Sequence, residues 1–382
     1  MSRGPHAISA DFVFDGDVVH GDSAIVIDDG RVAAVVPRAE LPAAVPVYAA
    51  PSGAWLAPGF IDVQVNGGGD VLFNDAPTPA TIACMVAAHR RFGTTSLLPT
   101  LISDTREKMQ AALQAVAEAA ATEPGVLGIH LEGPFLSPEK VGAHDPSMLR
   151  TPTTEDVQML TAAHAPRMLV TLAPEQVPEG FIARLAGGGV RVAIGHSMAT
   201  YAQTRRALQE GARGFTHLFN AMRPLGSREP GPIAAALESP DVFFGMIVDG
   251  MHVDPAMLRL ALRGRARPML VTDAMPPVGG RKGSFTLYGD TISVSGGACV
   301  RADGTLAGTA LDMAQAVRNS VAQLDVPLTA ALQFASTNPA DFMGVGDALG
   351  RLRPGYRADV VAFLPNEVEI LATWVAGQLP VR

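Results

Sequence analysis

Four residues carry the chemistry this sequence offers: Glu132, His196, His217 and Asp273. Each follows a short apolar run, VLGIHL (126–131), VRVAIG (190–195), GFT (214–216) and MLVT (269–272). Such runs, bounded by turn residues, read as buried parallel β-strands. Polar residues at the carboxyl ends of parallel strands share one mouth in a (β/α)8 barrel, the face where that fold keeps its active sites. The intervals fit: Glu132 to His196 is 64 residues and His217 to Asp273 is 56, each near two βα units of the roughly 30 residues implied by a barrel of about 250. Two histidines and a glutamate suit a catalytic divalent cation with one position left open. A nearby aspartate suits the base for its water.

Each residue has a plainer role to set against this one. Glu132 would otherwise be a core acid paired with a buried base, but a carboxylate followed by Gly133-Pro134 at a strand end is rarely buried without a partner. His196 and His217 taken singly would be hydrogen-bonded core histidines. Their placement at successive strand ends, with an acid two strands earlier, favours ligands. Asp273 as a helix N-cap is disfavoured because Pro276-Pro277 blocks an ordinary helix. His130 precedes Glu132 by two residues, so it shares that side of the strand about 7 Å deeper, at roughly 3.3 Å per residue. It reads as structural.

The elements that must position these groups follow from hydrophobic period. Strand candidates are 59–65, 95–99, 126–131, 167–172, 190–195, 213–216, 243–248 and 269–272, and eight of them favour a closed barrel over a doubly wound sheet. Between strands, 105–121 places Met109, Ala112, Leu113 and Val116 on one helical face. Residues 281–301 alternate like an inserted β-hairpin, ahead of helices at 310–324 and 328–335. The two ends differ from this middle. Residues 8–37 show short β-type runs with Asp29-Gly30 as a tight turn, and 349–379 repeat that character. Neither end has enough strands to stand alone, and chain termini are often close together. The expected organisation is a small β-sandwich from 1–56 and 344–382, flanking a barrel from 57–343.

With 382 residues, 48% of them hydrophobic, the chain can bury a large core. A formal charge of −8 with no Lys/Arg run argues against nucleic acid or an anionic membrane as partner. Cys84 and Cys299, the only cysteines, form no CxxC pair, so a reducing, cytoplasmic setting is expected. The N-terminal segment lacks an apolar leader core, and no run approaches the 18 or so apolar residues of a membrane span.

The motifs PGFIDVQVNG (58–67), HLEGPF (130–135), GAHDP (142–146), GHS (195–197), THLFNAM (216–222), DGMHV (249–253), TDAM (272–275) and LRPGYRADVV (352–361) occur in this order over nearly the whole chain. Together they resemble the N-acetylglucosamine-6-phosphate deacetylases of the amidohydrolase superfamily. PGFID and the C-terminal PGxxAD are general to the superfamily, whereas HLEGPF, GAHDP and THLFNAM are specific to the deacetylases.

The resemblance implies an α/β fold, the (β/α)8 amidohydrolase barrel, and hydrolysis of the acetamide of an amino-sugar 6-phosphate. It implies that Asp273 takes a proton from the attacking water and returns it to the departing amine, and that His144 contacts the acetyl oxygen as charge develops. Arg228, His252 and the backbone of Asn220-Ala221 match the phosphate contacts, with Lys140 adding charge. Gly142 and Ala143, directly ahead of His144 in the same motif, are implied to contact substrate with it, and Leu306, Ala307, Gly308 and Thr309 match a segment lining the sugar site. In the family the matching arginine comes from the neighbouring subunit, implying a homodimer. For Arg228 and His144, simple solvation of a loop side chain is the competing role.

One departure concerns Gln64 and Asn66, where many amidohydrolases carry His-x-His for a second metal. Amides are weaker ligands for zinc or iron than imidazole, so one divalent metal per subunit is expected, zinc first, with iron, cobalt or manganese as alternatives. Competing functions are N-acetylgalactosamine-6-phosphate deacetylation, hydrolysis of another cyclic amide, and a non-enzymatic scaffold. The complete ligand set with its base disfavours the last.

Overall fold

A computed structural model describes residues 4–162 and 167–379; the extreme ends of the outer segments, 1–3 and 380–382, lie outside the described residues. By contacts the chain forms one unit of 1–62, 89–96 and 312–382 and another of 63–88 and 97–311.

The first unit holds a seven-stranded sheet built from both ends of the chain. Its strands are His6–Phe14, Val19–Asp28, Arg31–Pro37, Val47–Ala49, Trp55–Pro58, Val360–Leu364 and Glu369–Trp374. Strand 360–364 pairs antiparallel with 55–58, which joins the two termini. The Asp29-Gly30 turn forms as its sequence requires: both residues have positive φ, 45° and 73°, the mirror-image turn that matches strand twist. Val32 and Trp374, from strands at opposite ends of the sheet order, enter one buried cluster with Ile8, Ile27, Leu56 and Val360. The sandwich is thus one continuous sheet curled over a shared core. Helices Met313–Leu324, Leu328–Ala335 and Thr337–Met343 also belong to this unit.

The barrel strands are β1 (Phe60–Val65), β2 (Thr94–Ile102), β3 (Ile129–Glu132), β4 (Met168–Leu172), β5 (Arg191–Ile194), β6 (Gly214–Phe215), β7 (Phe243–Met246) and β8 (Arg267–Leu270). They hydrogen-bond in sequence order as one sheet, and the pairs from β2 to β8 are parallel. Closure comes from the segment after β8: Asp273 N–H donates to Gln64 O at 3.0 Å, and Ala274 pairs parallel with Val65. The seam that shuts the barrel is therefore also what places Asp273. β3 both begins and ends later than its apolar run, so Glu132 is the strand's last residue instead of the one after it.

The expected hairpin at 281–301 is instead part of a four-stranded antiparallel sheet, Ser284–Leu287, Asp290–Ser295, Ala298–Val300 and Leu306–Thr309. The fourth strand, LAGT, has no strand signature of its own. It forms because it pairs on both sides, with Ala298 and Val300 on one and Ala274 on the other. Among the described residues no helix is long and apolar enough to cross a membrane.

Candidate metal centre and active site

Each candidate ligand sits where its strand runs out. Glu132 ends β3, His196 lies two residues past β5, His217 two past β6 and Asp273 three past β8. His196, His217 and Asp273 all have positive φ, 48°, 28° and 51°. For residues with a Cβ such backbone costs about 1–3 kcal/mol each and clusters at functional sites. Gly195, ahead of His196, has no room for a side chain: a Cβ there would lie 2.7 Å from Thr171 and 2.9 Å from Thr216.

Glu132, His196 and His217 converge. Glu132 Oε1 lies 3.2 Å from His196 Nε2 and 3.0 Å from His217 Nε2, and the two nitrogens are 3.2 Å apart. Metal–ligand bonds of 2.0–2.1 Å at tetrahedral angles imply ligand spacings of about 3.3 Å, so the triangle fits a zinc-sized cation. All three residues are buried. The other ring nitrogen of His196, Nδ1, is 2.7 Å from Lys140 O; that carbonyl takes the Nδ1–H and leaves the Nε2 lone pair for a ligand bond. Lys140 thus contributes its backbone to the centre. Burial pushes Glu132 up, but hydrogen bonds from His196 and His217 outweigh it and hold the carboxyl well below its usual range.

Asp273 lies beside this cluster, half-buried. Asn66 Nδ2 donates to its Oδ1 at 2.7 Å and Gln64 Nε2 at 3.2 Å, and Gln64 Nε2 also donates to Glu132 Oε2 at 3.1 Å. The two amides therefore spend their N–H donors on the carboxylates. Burial, with the Glu132 charge added, pushes the Asp273 carboxyl up to about 6, a value suited to a group that both takes and returns a proton near neutrality.

These groups line a cavity of about 260 Å³, together with Asn66, Ile102, Gly142, Ala143, His144, Asn220, Ala221, Ile247, His252, Met275, Thr305, Leu306 and Gly308. His144 is buried, its ring centroid 4.5 Å from that of His196. Burial, with His196 adding to it, pushes the His144 imidazolium down to about 3, so the ring is neutral at physiological pH. His252 Nδ1 is 2.6 Å from Asp249 Oδ2, and Asp249 also takes the His252 and Met251 N–H groups. That leaves His252 Nε2 as the ring's remaining polar atom.

Ala307 and Thr309, expected at the sugar, lie off the cavity, and Arg228, expected across a subunit interface, lies off the cavity of its own chain. Ala307 is buried in an apolar cluster with Leu72, Ile102 and Met275. Thr309 is behind the wall, where its hydroxyl donates to Thr272 O and its N–H to Asp273 O. Arg228 is exposed and does not line the cavity of its own chain. His130 is deep in the barrel between Thr171 and Thr100, 2.7 and 3.3 Å away, and burial holds it neutral by pushing it down to about 4. Sequence reasoning missed Ser103 and Tyr288: the Ser103 backbone N and hydroxyl lie 3.2 and 2.8 Å from His144 Nδ1, and Tyr288 Oη donates to Ser103 O. Ser103 follows a β2 residue, Ile102, in register with Glu132, a signal visible only once strands β2 and β3 are aligned.

Residues 55–379 match the Amidohydrolase family. The chain is 42% identical over 361 residues to an N-acetylgalactosamine-6-phosphate deacetylase of Shewanella sp. (strain ANA-3), covering 93% of this chain and 91% of that one. It is 34% identical over 362 residues to an N-acetylglucosamine-6-phosphate deacetylase of Haemophilus influenzae, covering 94% of each. Its fold matches the crystal structure of N-acetylglucosamine-6-phosphate deacetylase from Pasteurella multocida with a TM-score of 0.95 at 34% identity, covering 99% and 100% of the two chains.

Proposed function

The chain belongs to the amidohydrolase family, a metal-dependent family of hydrolases, and from that premise we propose that it hydrolyses the acetamide of N-acetyl-D-glucosamine 6-phosphate to glucosamine 6-phosphate and acetate. The observation that carries this reading is the convergence of Glu132, His196 and His217 beside Asp273 and a neutral His144 in one cavity. Glu132, His196 and His217 would hold a divalent cation, zinc in our reading, which when bound would supply Lewis-acid activation of water and of the acetyl oxygen. Asp273 accepts the water's proton, which makes the oxygen nucleophilic toward the acetyl carbon. His144 donates a hydrogen bond to the oxygen on which negative charge develops. Asp273 then passes its proton to the amine nitrogen, which cannot leave as an anion. Gln64 and Asn66 hold Asp273 in place throughout.

The substrate's phosphate needs positive charge or N–H donors, and among the described residues the cavity lining contains no Lys or Arg. His252 and the backbone N–H of Ala221 are the donors of this chain in our reading, since the Asn220 N–H, at first expected to join them, donates to His217 O at 3.0 Å. Arg228 completes the clamp from a partner subunit, which accounts for its exposure on its own chain and makes a homodimer the working unit. A charge-assisted bond to phosphate contributes about 1.5–3 kcal/mol, so Arg228→Ala is expected to lower kcat/KM for the phosphorylated sugar roughly ten- to a hundredfold. The unphosphorylated sugar should be little affected. Mixing Arg228→Ala chains with Asp273→Asn chains should restore activity, because one heterodimer site then carries neither defect. Equal losses on phosphorylated and free sugars would remove Arg228 from the phosphate site; selective loss without rescue on verified subunit exchange would place it in its own subunit's site.

The 42% identity to the Shewanella protein favours a second reading, in which the preferred substrate is the C4 epimer, N-acetylgalactosamine 6-phosphate. Acetate release from both 6-phosphates and from both free sugars tests the two together. Hydrolysis of at least one phosphorylated sugar well above its free form is the expected result, the ratio between epimers deciding the substrate. Absence of release from all four by metal-loaded protein would overturn the deacetylase reading. Cys84 and Cys299 are both free thiols, which supports the reducing, cytoplasmic setting in which we place the enzyme.

A further inference from the structure

We propose that Ser103, clamped by Tyr288 and Asn74, is the positioning residue that fixes His144 in the tautomer with hydrogen on Nε2. His144 Nδ1 lies 3.2 Å from the Ser103 backbone nitrogen, with N–H directed at it, and 2.8 Å from the Ser103 hydroxyl. A backbone N–H can only donate. Nδ1 must therefore present its lone pair, because a hydrogen there would face the Ser103 N–H head-on. The hydroxyl, free to rotate, donates to the same nitrogen. The neutral ring then has one hydrogen to give, on Nε2, and His144 lines the cavity. In the opposite tautomer Nε2 would turn a lone pair toward the developing oxyanion, a repulsive contact.

The segment that makes this choice is itself held from several sides. Asn74 Oδ1 accepts the Ile102 N–H at 3.0 Å, and Asn74 Nδ2 donates to Ile102 O at 3.0 Å and to Asp104 at 3.2 Å. Tyr288, at the tip of the inserted sheet, donates its hydroxyl to Ser103 O at 2.6 Å. From the same sheet Arg301 donates to Ala143 O at 3.1 Å, which steadies the residue next to His144. With Ile102 and Ser103 fixed at both ends, the N–H between them keeps its aim. The inserted four-stranded sheet thus acts on catalysis without supplying a reacting group, by holding the backbone that sets one imidazole's hydrogen.

The kinetic part of this inference rests on the deacetylase reading; the tautomer does not, so the two fail separately. Long-range proton–nitrogen correlation spectra of the zinc-loaded wild-type protein, with His144 assigned by comparison with His144→Gln, read the tautomer without substrate. A protonated Nε2 and bare Nδ1 are expected, and a protonated Nδ1 would overturn the proposal. Ser103→Ala removes the hydroxyl but keeps the backbone N–H that sets the tautomer, so its His144 spectrum should still show hydrogen on Nε2, with kcat lowered about threefold and KM and metal content within twofold. Tyr288→Phe should move kcat in the same direction by about threefold. A Ser103→Ala spectrum with hydrogen on Nδ1 would also overturn it, because the N–H would then not be what sets the tautomer. Should Ser103→Ala fail to fold, the wild-type spectrum and Tyr288→Phe decide the matter by themselves.

Discussion

Exhaustive chelation of the purified protein is expected to lower kcat by roughly 10³-fold or more, since a Lewis acid at the reacting centre contributes several kcal/mol to the transition state. Adding back one equivalent of zinc per chain should restore it. The expected stoichiometry is one tightly held ion, and the reason lies in Gln64 and Asn66. Their amide N–H groups point at Glu132 Oε2 and at Asp273, so hydrogen-bond donors, which cannot bind a cation, face both carboxylates. Glu132→Gln should lose the ion, because it replaces the only anionic ligand of the three. Elemental analysis measures both. Two tightly bound ions per chain, or full activity after chelation, would falsify the single-ion centre.

Asp273→Asn is expected to lower kcat by about 10²- to 10⁴-fold, the usual contribution of a general acid–base group, with metal content unchanged. The substitution is conservative in shape: an asparagine oxygen can still accept from Asn66 and Gln64, so the barrel seam and the cavity wall persist. What disappears is the ability to take and return a proton. The pH profile adds a sign. A base must be ionised to act, and burial beside Glu132 pushes Asp273 up to about 6. kcat/KM should therefore be full above that pH and fall as pH drops through it. A cation at Glu132 offsets the charge that raises Asp273, so the limb of the loaded enzyme lies at or below about 6. An Asp273→Asn enzyme within tenfold of wild type would shift the base elsewhere, to a cavity imidazole such as His144.

Gln64 and Asn66 show where sequence reading stops. Their types imply a weak second metal position, and that much follows from ligand chemistry alone. That they serve as donors to Glu132 and Asp273 depends on β1 and β8 meeting across the barrel seam, 207 and 209 residues apart in sequence for the Asp273 contacts. Ala307 and Thr309 make the same point in reverse. A motif match treats LAGT as a unit, but a strand alternates its side chains between faces, so only some members of the segment reach the cavity. Arg228 is a third case, because nothing local to a loop arginine tells whether it reaches the cavity of its own chain, and the fold leaves it exposed and outside that lining.

By itself the sequence determined the eight apolar strand runs, the turns between them and the kinds of ligand and base that follow each strand, because hydrophobic period and turn chemistry act over a few neighbouring residues. The tertiary structure alone decided the 3.0–3.2 Å triangle of Glu132, His196 and His217, the amides spent on two carboxylates and the Ser103 N–H aimed at His144. Such distances depend on how the barrel closes and how an inserted sheet docks on its rim, and those are set by contacts between segments far apart in the chain.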